Sequence, residues 1–258
     1  MSDIANAESK NNYNIPFIQL DKLADIKYGK YHYNYKTVDF MFNFKKNAKK
    51  TLIAFHGRVH SHESWPVFYK HNFEHNNFNV LSISDRLLEQ TRELHNTMYL
   101  SVKKLNYHEI YFEIISIVLN LTKTEKNIFF GSCSGSFPAV RYGSLFNGYI
   151  LCMNGYVFLL KNYFDSYNKK ISKFINDEFI YIDNFNVILK SPPKHIYLYI
   201  NKNDTITFDL NKNFIVFCKK NLPDRITHKL HDTVIEGKDP HDVHFPEGDD
   251  FISAIERI

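Results

Sequence analysis

Six consecutive residues, Gly131-Ser132-Cys133-Ser134-Gly135-Ser136, directly follow the short apolar run Asn127–Phe130. A thiol with glycine two positions away on each side suits a sharp strand-to-helix turn. The apex side chain projects from such a turn, and its neighbours two away must be small or their β-carbons collide. A helix starting there would aim backbone N–H groups and its positive end at the same point, which favours an anionic nucleophile and holds an oxyanion. Ser134 is also flanked by small residues, Ser132 and Ser136, so the register decides the nucleophile. Apolar residues run up to Phe130, which places the strand end at Gly131 and Cys133 at the apex, ahead of Ser134. Phe130, two positions before Ser132, excludes Ser132. A glycine-rich turn holding an inert thiol is the plainer alternative.

A nucleophile on such a turn needs an acid and a base supplied later in the chain. Asp204 follows the apolar run His195–Ile200 and is the expected acid, with Asp209 second because it falls nearer the next helix. After the last apolar run the chain reads Glu236-Gly237-Lys238-Asp239-Pro240-His241-Asp242-Val243-His244. His241 is the expected base and His244 the alternative. A further donor for the oxyanion is expected after Thr51–Phe55, where Gly57 permits close approach and the N–H of Arg58, with Val59 second, could pair with that of Ser134. His56 reads as a loop brace. Asp85 reads equally as a helix cap or a functional carboxylate.

These residues must be carried by a sheet whose strand ends gather in one place. Thr51–Phe55, Phe78–Ile83, Asn127–Phe130, Tyr149–Met153, His195–Ile200 and Ile226–Leu230, the last reaching toward Ile235, are short apolar runs typical of strands buried on both faces. Tyr31–Lys36 and Thr37–Phe44 read as further strands. Helical patterns fall at Val67–His75, Tyr107–Leu121, after Ser136, across Val157–Ile180, at Leu210–Lys220 and at Phe251–Ile258. The alternation predicts an α/β fold, a mostly parallel central sheet with helices on both faces. Chemistry in such folds collects at the carboxyl ends of the strands.

Composition narrows the classes further. The chain has 258 residues, and 23 Phe with 17 Tyr supply more apolar area than a disordered chain carries. A formal charge of +4 without a dense basic run gives no nucleic-acid footprint. Three cysteines at odd count and without metal-ligand spacing imply free thiols and a reducing compartment. No apolar run approaches the roughly 18 residues of a membrane span, and the amino terminus lacks a signal-peptide pattern. The expectation is a cytoplasmic protein with a flexible segment over residues 1–14 and a single domain over 15–258. No phosphate-loop or dinucleotide fingerprint occurs.

The order TLIAFHG, GSCSGS, a strand-end Asp and a late His resembles the α/β-hydrolase superfamily over about residues 40–258. Within it, SISDRLLEQTRELHNTMYL, FGSCSGSFPAVRYGSLFNGYIL and an aromatic insert with Tyr163, Tyr167 and Phe174 resemble bacterial hydrolase-like proteins of capsule and cell-wall glycan synthesis, including polysaccharide O-acetyltransferases. The superfamily's apex residue is usually serine, although dienelactone-hydrolase-like members use cysteine. The resemblance implies acyl transfer by a Cys133-His241-Asp204 triad to water or to a sugar hydroxyl on a bacterial surface glycan. No cofactor would be resident, and acetyl-CoA is a candidate acyl donor. The sequence leaves the donor, the acceptor and the oligomeric state open. Two other readings compete: a non-catalytic binding or scaffold protein on this fold, and a metallohydrolase using His56, His60 and His62 with Asp239, His241, Asp242 and His244. The latter lacks any recognised metal motif.

Overall fold

The computed structural model describes residues 15–59, 65–69, 77–90, 94–158, 164–165, 168–169, 172–173, 175, 177–205, 207–244 and 250–258. The expectations for residues 1–14, His60, His62, Tyr163, Tyr167 and Phe174, and for most of the helix read at Val67–His75, lie outside them. In chain order the strands are β1 (Phe17–Leu20), β2 (Gly29–Tyr35), β3 (Val38–Phe44), β4 (Lys50–Phe55), β5 (Phe78–Ile83), β6 (Ser101–Val102), β7 (Lys126–Ser132), β8 (Tyr149–Met153), β9 (Phe179–Ile180), β10 (His195–Asn201) and β11 (Ile226–His231). The helices are α1 (Arg86–Gln90), α2 (Tyr107–Thr122), α3 (Ser136–Leu145), α4 (Asn184–Lys190), α5 (Phe208–Asn221) and α6 (Phe251–Arg257). The chain forms two compact units, Met1–Asn127 with Asn168–Ile180, and Ile128–Tyr167 with Tyr181–Ile258.

In the first unit, β1 pairs parallel with β2, β2 and β3 form an antiparallel hairpin, β3 runs antiparallel to β5, and β5 pairs parallel with β4. Every residue of β5 is buried, Asn79 and Ser82 included, as expected of a strand covered on both faces. The hairpin encloses a polar pair, His32 Nε2 to Asp39 Oδ1 at 2.9 Å, with both side chains fully buried. Helix α2 forms because Ile110, Ile114, Ile115 and Val118 recur on one face, all buried. It stops at Lys123, whose left-handed backbone (φ 45°) returns its N–H to the Leu119 carbonyl. The small β6–β9 ladder is antiparallel, so part of the region read as helix-like up to Ile180 is a strand.

The second unit is wholly parallel: β7 pairs with β8, β8 with β10, and β10 with β11. Ile128, Phe129 and Phe130 have no exposed surface, which matches a strand covered on both faces. Gly143 of α3 lies against Phe129 and Ile150, because a β-carbon there would approach Ile150 Cγ1 to 2.4 Å. Phe130 points to the other face and meets Phe251 of α6 edge-on, ring centroids 4.4 Å apart. Helices therefore cover both faces. Asp183 and Asp250 start α4 and α6 by accepting the amides of Phe185 and Ser253 at 2.9 and 2.7 Å. The sequence reading missed α4, and it carried the final strand past His231, where the structure ends it. No helix among the described residues is long and apolar enough to cross a membrane.

Candidate active site

The register of the second unit aligns the carboxyl ends of its strands. Ser132 pairs with Met153, Met153 with Tyr199, and Asn201 with His231. The residues that follow these positions therefore emerge along one edge of the unit, where open parallel sheets bind their ligands.

Cys133 is the first residue beyond β7 and opens a one-turn 3-10 helix, Cys133–Gly135, that runs directly into α3. Its backbone is left-handed, φ 50°, whereas Ser134 has no positive φ. A non-glycine residue in that region stores strain of about 1–3 kcal/mol, and such strain gathers at functional turns. The sharpness of the turn explains the glycine two residues earlier. A β-carbon on Gly131 would lie 2.0 Å from the Gly135 carbonyl oxygen and 2.5 Å from the Ser136 amide nitrogen. Ser136 braces the same turn, its hydroxyl donating to the Gly131 carbonyl at 2.8 Å. Cys133 retains 9% of its surface and Ser134 2%. All three cysteines are free. Burial pushes the thiols of Cys152 and Cys218 up to about 12, so neither is a ready nucleophile at neutral pH.

Asp204 lies in the loop after β10 and is buried. Its carboxylate accepts the Thr207 amide at 3.2 Å and the Thr207 hydroxyl at 2.5 Å, which fixes its orientation. Asp209, the competing acid, is exposed in the first turn of α5. His241 is the middle residue of a second 3-10 turn, Pro240–Asp242; its side chain is outside the described atoms. His244 is half-buried three residues on.

Two residues that the sequence reading passed over tie these loops together. Asn154, just beyond β8 in left-handed backbone (φ 41°), has no exposed surface. Its Nδ2 donates to the carbonyls of Val243 at 3.0 Å and Pro240 at 3.4 Å, and its Oδ1 accepts the Asn201 amide at 2.8 Å. Asn201, the fully buried last residue of β10, donates from Nδ2 to Thr233 at 3.0 Å and Pro240 at 3.2 Å. The readable signal was an asparagine closing each of two apolar runs, Met153-Asn154 and Ile200-Asn201.

In the first unit, Arg58 is exposed in the loop after β4, and the amide of Val59 donates to the His95 carbonyl at 2.8 Å. His56 accepts the Asp85 amide at Nε2, 3.1 Å. Since that amide can only donate, Nδ1 carries the proton and gives it to the Gly57 carbonyl at 2.9 Å. His56 is thus a neutral brace. Asp85 is fully buried, and burial pushes its carboxyl above the ordinary carboxylate range. It accepts the Thr97 hydroxyl at 2.6 Å, the Tyr99 amide at 2.9 Å and, as a cap of α1, the Leu88 amide at 3.3 Å. Among the described residues no group of three His, Cys, Asp or Glu could hold a metal ion.

No family model matches the chain. No curated protein matches it. Solved structures do. The capsule O-acetyltransferase of Neisseria meningitidis serogroup A superposes with a TM-score of 0.60 at 18% identity, covering 78% of this chain and 86% of that one. A mutant of that enzyme in complex with CoA gives 0.58 at 16% identity, covering 82% and 92%. The glycosylation-associated protein (Gap123) complex of Streptococcus agalactiae gives 0.53 at 14% identity, covering 80% of this chain and 42% of that one. The fold is that of the α/β-hydrolases.

Proposed function

We propose that this chain is an acyl-transfer enzyme that works through a covalent Cys133 acyl-enzyme, with His241 as base and Asp204 as the residue that orients it. The observation that carries the reading is the left-handed backbone of Cys133 at the tight turn between β7 and α3. That conformation singles out one residue of the Ser132-Cys133-Ser134 run as the projecting apex.

The imidazole of His241 takes the proton from Cys133 Sγ, and the thiolate attacks the carbonyl carbon of an ester or thioester. A C–S bond forms and the carbonyl oxygen becomes an oxyanion, held by the amide of Ser134 with Arg58 as the second donor expected from the sequence. Collapse breaks the bond to the leaving alcohol or thiol, which receives the proton from the imidazolium. An acceptor hydroxyl then gives its proton to His241 and attacks the thioester. The acyl group moves to the acceptor, and the returning Cys133 sulfur is reprotonated. Water as acceptor makes an esterase and a sugar hydroxyl makes an O-acetyltransferase. Likeness of fold to the capsule O-acetyltransferase supports a bacterial surface glycan as acceptor, and its CoA complex supports acetyl-CoA as donor.

The test is to supply [¹⁴C]acetyl-CoA to the protein with and without a panel of bacterial capsular polysaccharides. Label recovered in one polysaccharide, absent with Cys133→Ala, is the expected result. Release of free acetate alone at an equal rate with or without polysaccharide would assign a hydrolase, and no turnover with either acceptor would contradict the enzyme reading.

A further inference from the structure

The three residues assigned to catalysis sit on separate loops, after β7, β10 and β11, and the loop of the base is held by two short contact sets. Within the 3-10 turn that carries His241, the carbonyl of Pro240, immediately before it, accepts from both Asn154 and Asn201. The carbonyl of Val243, two residues after it, accepts from Asn154 at 3.0 Å. His241 is thereby pinned on both sides by side chains that have no exposed surface. The same two asparagines reach the other loops. The Asn201 carbonyl accepts the Asp204 amide at 3.1 Å, and its Oδ1 accepts the Asn203 amide at 3.0 Å, which sets the acid's loop. Two residues beyond Asn154, the Tyr156 amide donates to the carbonyl of Cys133 at 2.9 Å. Gly155 between them lies so close to the nucleophile's turn that a β-carbon there would stand 2.0 Å from Ser136 Oγ. Asn154 Oδ1 to the Asn201 amide, at 2.8 Å, closes the set.

We propose that Asn154 and Asn201 are positioning residues that lock the His241 turn in register with Cys133 and Asp204, an assignment that rests on the catalytic reading above. Neither need touch substrate. A buried carboxamide with donors and acceptor all engaged is a stiff link, and a shift of about 1 Å in a catalytic group costs on the order of 100-fold in rate. Only an asparagine in left-handed backbone can start at the end of β8 and reach both carbonyls, since Asn tolerates that conformation better than other non-glycine residues.

The experiment is a double-mutant cycle on the turnover of p-nitrophenyl acetate. Asn154→Gly keeps the left-handed backbone and removes only the side chain, and Asn201→Ala removes the second donor. Circular dichroism checks that each variant folds. Should Asn154→Gly fail to fold, Asn201→Asp keeps the acceptor toward Asn203 and replaces the donor with a carboxylate oxygen that the carbonyls of Thr233 and Pro240 repel. Each is expected to lower kcat by about 30- to 100-fold, with KM changed less than about 2-fold. In a His241→Ala background the same substitutions are expected to change the rate by less than about 2-fold, because the group they position is gone. Unchanged kcat in folded single variants, or an equal loss in the His241→Ala background, overturns the proposal alone. A His241→Ala protein as fast as the parent overturns the catalytic reading, and this proposal with it.

Discussion

A β-carbon on Gly131 would stand 2.0 Å from the carbonyl oxygen of Gly135, a backbone atom with no freedom to yield. The turn that presents Cys133 is thus closed by direct apposition of the end of β7 and the 3-10 turn. Gly131→Ala is expected to destabilise the protein by about 3 kcal/mol and to abolish esterase turnover, since the turn must open to admit a methyl group. Urea denaturation measures it; a change below about 0.5 kcal/mol would contradict the packing described.

Strain at Cys133 makes a second, opposite expectation. With φ at 50°, an alanine there keeps the strain and a glycine removes it. Cys133→Gly is expected to be more stable than Cys133→Ala by about 1 kcal/mol, although glycine has the greater entropy to lose on folding. Both are inactive. Equal melting temperatures for the two would contradict a strained apex.

The pH dependence of stability has a named contributor in His231, the buried end of β11. Burial depresses its imidazole below the ordinary value; the charges of Lys229 and Lys202 act in the same direction and that of Asp232 against it. The folded state therefore holds fewer protons than the unfolded one, whose histidine titrates near 6.5. Stability is present above about pH 6.5 and is lost as pH falls toward the lower folded value. His231→Leu should flatten the fall in melting temperature between about pH 7 and 5. Some slope remains, because His195 and His228 are depressed by burial as well. An unaltered slope would remove His231 from the account.

Asp85 gives a structural expectation. Its carboxylate satisfies the Thr97 hydroxyl and the amides of Tyr99 and Leu88 in a fully buried setting. Asp85→Ala removes the carboxylate that these donors share and is expected to cost on the order of 3 kcal/mol. A fully stable but inactive Asp85→Ala would assign the residue to catalysis instead.

The sequence announced the elements whose signal is local. Apolar runs such as Phe78–Ile83 and Tyr149–Met153 are strands at those same residues, and GSCSGS marked the turn that the structure builds at Cys133. What was not legible depends on pairing at a distance. β1 and the two-residue strands β6 and β9 are too short to show a period, and α4 spans only seven residues, with Val187-Ile188-Leu189 in a row that reads as no helical face. Asn154 and Asn201 escaped notice for the same reason. An asparagine after a strand reads as a turn former, and only the fold shows its carboxamide reaching residues some 40 and 90 positions away. The register of GSCSGS already placed Cys133 ahead of Ser134, and the left-handed backbone at Cys133 is a detail that residue types alone do not give.

Intact-mass analysis after brief exposure to p-nitrophenyl acetate tests the central claim most directly. The parent and Ser134→Ala should each gain a single acetyl group, mapped to Cys133 by peptide digestion, while Cys133→Ala gains none and His241→Ala gains it far more slowly. An adduct lost with Ser134→Ala and kept with Cys133→Ala would contradict the assignment of the nucleophile, and no adduct on any protein would favour a binding role for the fold.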